Sequence, residues 1–187
     1  MNPEKEKNMF YKTFYPSPIG LITLGCKEDH LVGLWIENQK YYEDTVEEEM
    51  IHKDDMPVFD AARAWLDRYF AGEKPEISEL PLAPIGGEFR QAVWKILCEI
   101  PYGQVTTYGE IAKKIAAQRN RKTMSAQAVG GAVGHNPISI IIPCHRVVGS
   151  NGSLTGYAGG IDLKIKLLEH EGVDLSKFFV PKKGTAL

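Results

Sequence analysis

Strand-forming residues dominate the first part of the chain and predict β-structure. The segment 10–15, FYKTFY, is rich in aromatic residues and is followed by Pro16-Ser17-Pro18, where proline cannot donate to a strand ladder. Apolar segments at 21–24 and 31–36 are separated by a polar turn at 27–29. Residues 9–36 therefore predict a β-meander whose first strand ends at Pro16-Ser17-Pro18. The acidic run after residue 37 predicts a loop or an exposed helix.

An amphipathic helix is predicted over residues 57–71. Pro57 suits a first helical turn, and the apolar positions keep helical spacing until Gly72. The segment 80–87, LPLAPIGG, then breaks regular structure. We place a domain boundary there, which gives an amino-terminal α/β domain at 1–84 and a second domain at 85–187.

The second domain has mainly helical patterns. A helix at 89–98 is stopped by the segment 101–103, PYG, and Thr107 with Glu110 matches a capping box that opens a short helix. A basic turn at 118–122 leads to the next helix, at 126–133, for which Thr123 or Ser125 is the cap. A final helix at 161–172 is closed by glycine.

The fold class is therefore α+β. A small amino-terminal antiparallel β-sheet domain with a helix precedes a mainly helical carboxy-terminal domain that contains a helix-turn-helix. Two short helices joined by a basic turn are compatible with that motif, but also with two helices that merely pack on a core. The Ala- and Gly-rich face of the helix at 126–133 favours the first interpretation, because such a face contributes little burial and lets a DNA groove approach the backbone.

Composition is that of a globular protein of 187 residues, 43% hydrophobic and 25% charged. No segment approaches the roughly 20 apolar residues of a membrane helix. The start, MNPEKEK, lacks the apolar run of a secretory signal, so we expect a cytoplasmic protein without a membrane partner. Three cysteines without repeated spacing argue against a disulfide framework.

Charge is distributed unevenly, although its net value is only −2. Acidic residues dominate 37–60, whereas 101–150 holds six basic residues against Glu110 alone. The basic residues there are Lys113, Lys114, Arg119, Arg121, Lys122 and Arg146. They form either a solvated helix face or a local patch that binds phosphates.

The segment 140–148, IIIPCHRVV, carries the chemistry. It predicts a buried apolar strand that runs into Pro143, and Cys144 then lies at the end of that strand. A cysteine in an apolar strand is usually an inert core thiol. Here the neighbouring His145 and Arg146 favour a lowered thiol pKa and an exposed, nucleophilic thiolate.

A base and its orienting partner are predicted nearby. Adjacent side chains of an extended chain point in opposite directions, so His145 would exchange a proton with Cys144 through one water. Glu169 and Glu171 are acidic candidates for orienting the histidine, although either is by default an exposed helix residue. The segment 156–160, GYAGG, is flexible enough to wrap a ligand.

The residues 142–147, IPCHRV, closely resemble the signature of the O6-alkylguanine-DNA alkyltransferases. The resemblance runs from about Phe89 to Gly172 and includes the segment 128–132, AVGGA, and Asn136-Pro137, whereas the first 84 residues resemble that family only in outline. It implies DNA repair by direct damage reversal. The alkyl group of O6-alkylguanine, and of O4-alkylthymine, in duplex DNA would pass irreversibly to an internal cysteine, once per molecule and without a cofactor.

The resemblance also implies roles for individual residues. Cys144 matches the alkyl acceptor, His145 the base that acts through water, and Glu171 the carboxylate that orients it. Asn136 matches the residue that ties the helix-turn-helix to the active-site turn. Tyr108 matches the tyrosine that helps protonate the departing guanine.

The substrate pocket follows from the same resemblance. The main-chain carbonyls of Cys144 and Val147 would hold the guanine amino group. Tyr157, Ala158 and Gly159 would wall the pocket, with Arg146 beside it.

Double-stranded alkylated DNA is the implied partner, bound through its minor groove with the target base flipped out. The residues expected to contact it are Ser125, Ala126, Gln127, Ala128, Gly130, Arg119, Arg121 and Lys122. Gln127 stands where well-known relatives have an arginine that fills the gap left by the extruded base. We expect Gln127 to take that role without the charge.

Further expectations concern metal, assembly and rival functions. Some members of the family bind a metal in the amino-terminal domain, and Cys26 and His30 match two of those ligands, but no partners complete the site, so no metal is expected. Cys98 is expected in the core, and the protein is expected to be a monomer without an obligate protein partner. The rival functions are a Cys-His-Glu hydrolase or acyl transferase, a module that only recognises alkylated DNA, and a transcriptional regulator.

Overall fold

A computed structural model describes residues 7–182. Its residues form two compact units. The first contains the described residues up to Ile85 together with Pro137–Ile141, and the second contains Gly86–Asn136 and the described residues from Ile142 onward. Within the described part of the chain, no helix is both long and apolar enough to cross a membrane.

The first unit is built on a four-stranded sheet in the order β3-β2-β1-β4. Its strands are β1 (Phe10–Ser17), β2 (Gly20–Lys27), β3 (His30–Ile36) and β4 (Met50–His52). The first three are antiparallel, which confirms the predicted sheet, and β4 adds a short parallel pairing to β1.

The first strand was predicted to end at Pro16-Ser17-Pro18, and β1 does end within that segment, at Ser17. Strand β4 pairs only with Phe10–Lys12, so at Pro16 strand β1 has a partner on one side alone. Proline is tolerated where a strand is paired on one side. The acidic run that follows β3 forms turns from residue 37 to residue 45 and no helix.

Helix α1 (Pro57–Phe70) agrees with the predicted amphipathic helix. It packs on β2 and β3 and buries one face against them. The buried residues of α1 are Val58, Phe59, Ala62, Trp65, Leu66 and Tyr69. Periodic spacing of large apolar side chains was a sufficient signal here.

The second unit contains four α-helices among its described residues. They are α2 (Glu88–Leu97), α3 (Tyr108–Gln118), α4 (Ala126–Gly134) and α5 (Ile161–His170), and a short parallel pair joins β5 (Thr106–Thr107) to β6 (Val147–Val148). Helix α4 packs against α2 and α3. Each of α3 and α4 begins at a side-chain cap: Thr107 accepts from Glu110 N at 3.1 Å, and Ser125 accepts from Ala128 N at 3.2 Å.

The predicted strand before Cys144 is wrong. Residues 139–141 form a turn in which Ile140 has a φ of +70°, and Cys144–Arg146 form one 3-10 turn. The side-chain amide of Asn136 donates to the carbonyl of Ile142 at 2.8 Å and so holds the chain in this bend. A short buried apolar run does not by itself distinguish a strand from a buried turn.

Candidate functional site

Cys144 begins the 3-10 turn and is only 4% exposed. Burial raises the pKa of its thiol, while a hydrogen bond from Asn136 and the positive charge of Lys164 act in the opposite direction. The prediction of an exposed thiol with a lowered pKa is therefore wrong, since removal from water disfavours the thiolate more than its neighbours stabilise it. A base is needed to deprotonate this thiol.

His145 has the properties of that base. It is fully buried, and its Nε2 lies 2.6 Å from Oε2 of Glu171. Burial lowers the pKa of His145 and outweighs the opposing effect of Glu171, so the imidazole is neutral. With the proton assigned to Nε2 by this bond, Nδ1 is an acceptor, and it is buried without a hydrogen-bond partner among residues 7–182.

Glu171 remains a carboxylate although it is 5% exposed. Burial acts to raise its pKa, but bonds and charges from His145 and Arg146 together hold that pKa well below its usual range. The backbone N–H of Gly103 adds a fourth donor at 3.3 Å. Of the two acidic candidates, Glu171 reaches the histidine, whereas Glu169 is exposed.

Arg146 supports this carboxylate. Its Nε and Nη2 lie 2.7 Å and 3.2 Å from the two oxygens of Glu171, and its Nη1 donates to the carbonyl of Ile100 at 2.6 Å. The guanidinium also lies 5.7 Å from the ring centre of Tyr102. Arg146 thus donates two hydrogen bonds to Glu171 and one to Ile100. Its place in a substrate pocket stays a prediction.

Tyr108 is the first residue of α3 and is 5% exposed. Its hydroxyl donates to the carbonyl of Thr155 at 3.1 Å. Burial, and next to it the charge that Cys144 carries as a thiolate, raise the pKa of Tyr108. The side chain is therefore a neutral phenol whose one proton is donated to the Thr155 carbonyl.

Lys164 is a site residue that the sequence reasoning missed. It lies on α5 with no exposed surface, and its Nζ donates to the carbonyls of Val147 and Thr155. Burial lowers its pKa to about 8, partly opposed by Cys144. A signal was present, because position 164 shares the buried face of Leu167 and Leu168 at helical spacing.

The predicted wall segment lies against the histidine. Tyr157 is 7% exposed, and its ring meets that of His145 edge-on at 6.5 Å between centres. A Cβ at Gly159 would lie 2.9 Å from the Tyr157 ring, so this glycine permits the close approach. Of the two carbonyls expected to bind a base, that of Cys144 accepts from Val147 N and that of Val147 accepts from Nζ of Lys164. A carbonyl oxygen has two lone pairs.

The predicted DNA-contacting residues lie on α4 and the turn before it. Ser125, Ala126, Gln127 and Ala128 are exposed, whereas Gly130 is buried. Arg121 and Lys122 are exposed and make no ion pair within the described chain. They border an open cleft of about 470 Å³ whose floor includes Gly109, Ala112, Ala116 and Ala126.

Arg119 differs from its two basic neighbours. Its guanidinium lies 5.3 Å from the ring centre of Phe89, and its Nη2 lies 3.7 Å from Glu88. Its charge is therefore partly compensated within the protein.

The other two cysteines lie in other elements of the fold. Cys26 is buried in β2, and His30 is exposed at the start of β3. Cys98, expected in the core, is partly buried just after α2. Over residues 7–182, no group of three or more His, Cys, Asp or Glu side chains is placed to hold a metal ion.

Comparison with known proteins covers nearly the whole described chain. Residues 10–84 match the family described as "6-O-methylguanine DNA methyltransferase, ribonuclease-like domain", and residues 88–173 match the corresponding "DNA binding domain". A methylated-DNA–protein-cysteine methyltransferase of Haemophilus influenzae is 43% identical over 164 residues, which is 87% of each chain. One of Mycobacterium bovis is 47% identical over 163 residues, covering 86% of this chain and 91% of that protein.

Solved structures agree with these matches. The crystal structure of Mycobacterium tuberculosis OGT in complex with DNA superposes with a TM-score of 0.73 at 41% identity, covering 91% of this chain and 94% of that one. The crystal structure of Mycobacterium tuberculosis O6-methylguanine methyltransferase gives a TM-score of 0.73 at 42% identity, covering 87% and 93%.

Proposed function

The chain belongs to the 6-O-methylguanine DNA methyltransferase family, and on that premise we propose that Cys144 is its alkyl acceptor. The protein repairs DNA by transferring the alkyl group of O6-alkylguanine to one of its own cysteines. One observation carries the assignment to Cys144. The residue next to it is a buried, neutral histidine that is fixed by Glu171 at Nε2 and has an unpartnered Nδ1.

The transfer would begin with loss of the thiol proton. A water between Cys144 and Nδ1 of His145 passes that proton to the imidazole, and Glu171 stabilises the imidazolium that forms. The Cys144 sulfur then attacks the alkyl carbon. The bond between that carbon and the guanine oxygen breaks, and its electron pair stays with the guanine.

Tyr108 would stabilise the departing base. Its raised pKa keeps it a phenol, and its single proton, which the Thr155 carbonyl accepts in the free protein, turns to the guanine as negative charge develops there. The proton held by His145 balances the reaction when it passes to the guanine. The product at Cys144 is a thioether, which is a poor leaving group, so each molecule acts once.

The pocket would hold the base through the main chain. The free lone pairs of the Cys144 and Val147 carbonyls accept from the guanine amino group, and Tyr157, Ala158 and Gly159 form the wall. O4-alkylthymine is included as a second substrate, because it presents the same alkoxy group on a smaller base.

DNA binding is assigned to α3, the basic turn and α4, acting as a helix-turn-helix. The small exposed side chains at the start of α4 favour close approach to the minor groove. Arg121 and Lys122 supply uncompensated charge for phosphates, which gives affinity without sequence readout. Gln127 is exposed on the same helix and would fill the space left by the flipped base.

We further assign domains at 1–84 and 85–187 and a monomeric protein in the cytoplasm. One reactive cysteine and one DNA-binding helix pair in each chain are sufficient for the reaction, so the mechanism needs no partner chain.

A mass-spectrometric transfer assay tests the central assignment. The protein is mixed with duplex DNA carrying a single O6-methylguanine, and its intact mass and peptide masses are measured beside a Cys144→Ala control. We expect one methyl group per molecule on the Cys144 peptide and none on the control. Methylation of another cysteine would refute the assignment, and lesion-specific binding without methylation would indicate a recognition module.

A further inference from the structure

A short segment beyond the family match pairs with the loop that leads into the pocket wall. The match ends at residue 173, and the chain then forms a 3-10 turn at Leu175–Lys177 and an extended segment that includes Phe179. The backbone N–H of Leu154 donates to the Phe179 carbonyl at 2.8 Å, and the N–H of Phe179 donates to the Gly152 carbonyl at 3.1 Å. The tail thus adds a parallel bridge to this loop.

Apolar packing fixes the tail in place. Val148, Leu154 and Leu168 form a buried cluster, and the tail residues Leu175 and Phe178 pack against it. Gly152 also lets the loop and the tail approach each other closely. Gly152 has a φ of +86°, and a Cβ there would lie 3.0 Å from the Lys177 carbonyl.

The loop residue that follows Leu154 reaches the site directly. The carbonyl of Thr155 accepts from the Tyr108 hydroxyl at 3.1 Å and from Nζ of Lys164 at 2.7 Å. Two residues later, Tyr157 packs on His145. The position of Leu154, set by the tail, therefore fixes the start of the segment that presents the wall.

We propose that the tail is a strap that positions the pocket wall, so that it determines how well the target base is held but not how reactive the thiol is. The proposal rests on the function proposed above. The strap consists of residues 175–180, and its essential contacts are the two main-chain bonds at Phe179. Its residues are positioning residues, because none of them contacts the reacting atoms of Cys144.

Substitution of one backbone donor tests the strap. Phe179→Pro removes the N–H that donates to Gly152, and Phe178 already has φ −120° and ψ 160°, which a residue before proline requires. Phe179 is 46% exposed and, unlike Leu175 and Phe178, is not one of the residues that pack on the buried cluster. Phe179→Ala is the matched control, because it shortens the side chain but keeps the N–H.

Two reactions are measured on each variant. The first is methyl transfer from duplex O6-methylguanine, which needs the pocket to hold a base, and the second is alkylation of Cys144 by iodoacetamide, which needs the thiol but no bound base. For Phe179→Pro we expect methyl transfer to slow by about five- to tenfold, the effect of one lost hydrogen bond. Its iodoacetamide rate, and both rates of Phe179→Ala, should stay within about twofold of the wild type.

Truncation provides an independent variant. A chain ending at Lys177 lacks the two main-chain bonds at Phe179, whereas one ending at Lys182 keeps them, and we expect only the shorter chain to lose methyl transfer. The strap is refuted if Phe179→Pro and the shorter chain transfer methyl at the wild-type rate. It is also refuted if both reactions slow together as the melting temperature falls, because that result indicates a role in folding alone. Absence of transfer by the wild type would refute the proposed function instead.

Discussion

The carboxylate of Glu171 lies 2.6 Å from Nε2 of His145, and both side chains are completely removed from solvent. Two buried groups so close depend strongly on each other, because neither has water to replace a lost partner. The contact fixes the imidazole ring and directs its other nitrogen away from the carboxylate. His145 can therefore act as a base only while Glu171 keeps its charge.

Glu171→Gln should slow methyl transfer by about 10²-fold or more, the contribution of a general base. The amide keeps the shape of the side chain but no longer compensates the imidazolium, and it leaves Arg146 without its carboxylate. Loss of one member of a buried ion pair also costs about 3–5 kcal/mol of the free energy of unfolding. Single-turnover transfer and urea unfolding measure the two effects.

Glu169→Gln is the control for that change, because Glu169 lies two residues before Glu171 and is exposed. It should change neither the rate nor the stability measurably. Equal transfer rates for Glu171→Gln and the wild type would mean that His145 is not the base.

Acid should destabilise the protein in two steps. The pKa of His145 is lowered in the folded state, so as the pH decreases below about 6.5 the unfolded chain takes up a proton that the folded chain does not. The free energy of unfolding therefore decreases as the pH decreases. The pKa of Glu171 is also lowered, and its contribution is lost as pH falls below about 4.3. Both groups act with the same sign.

Urea unfolding of the wild type and of His145→Gln is compared at pH 7.5 and pH 5, about one unit or more on either side of the reference pKa of histidine. His145→Gln removes the titrating group, so the variant should lose less stability over this range than the wild type. An unchanged dependence on pH would contradict a neutral, buried His145.

Much of the fold follows from local patterns. The spacing of Trp65, Leu66 and Tyr69 predicts α1, and Thr107 with Glu110 predicts the start of α3. These signals lie within a few residues of the elements they specify. Strand β4 has no such signal, because only its pairing with a distant strand makes it regular.

The site, too, could be predicted only in part from local sequence patterns. The order Pro143-Cys144-His145 indicates the nucleophile and its base, but not that burial raises the pKa of the thiol. Lys164 was missed because a lysine is ordinarily exposed, and only tertiary packing places its ammonium against the Val147 carbonyl. Burial depends on contacts between segments far apart in sequence, which spacing does not encode.

The basic turn should supply phosphate contacts through Arg121 and Lys122. Each of Arg121→Ala and Lys122→Ala should weaken DNA binding to all sequences and reduce the slope of log K against log salt by about 0.9. Arg119→Ala should have a smaller effect, because Arg119 is already engaged by Glu88 and Phe89. Binding titrations at several salt concentrations measure the slopes.

Lys166→Ala serves as the control, since Lys166 is an exposed lysine on α5. It should leave the slope unchanged. If Arg121→Ala and Lys122→Ala also leave it unchanged, the phosphates are bound elsewhere and the cleft beside α4 is not part of the DNA interface.

Substitutions at Gln127 test whether an uncharged residue can extrude the base. An exposed glutamine on α4 can hydrogen-bond to the orphaned base, but it adds no attraction to the polyanionic groove. Gln127→Arg should therefore tighten DNA binding and raise the transfer rate, whereas Gln127→Ala should lower the transfer rate with little change in the salt dependence of binding.

Transfer to Cys144 from duplex and from single-stranded DNA separates the effect on DNA affinity from the effect on opening of the duplex. A base in a single strand needs less unstacking, so the three proteins should differ on duplex and converge on single strands. If they differ equally on both, Gln127 contributes general affinity and another residue opens the duplex.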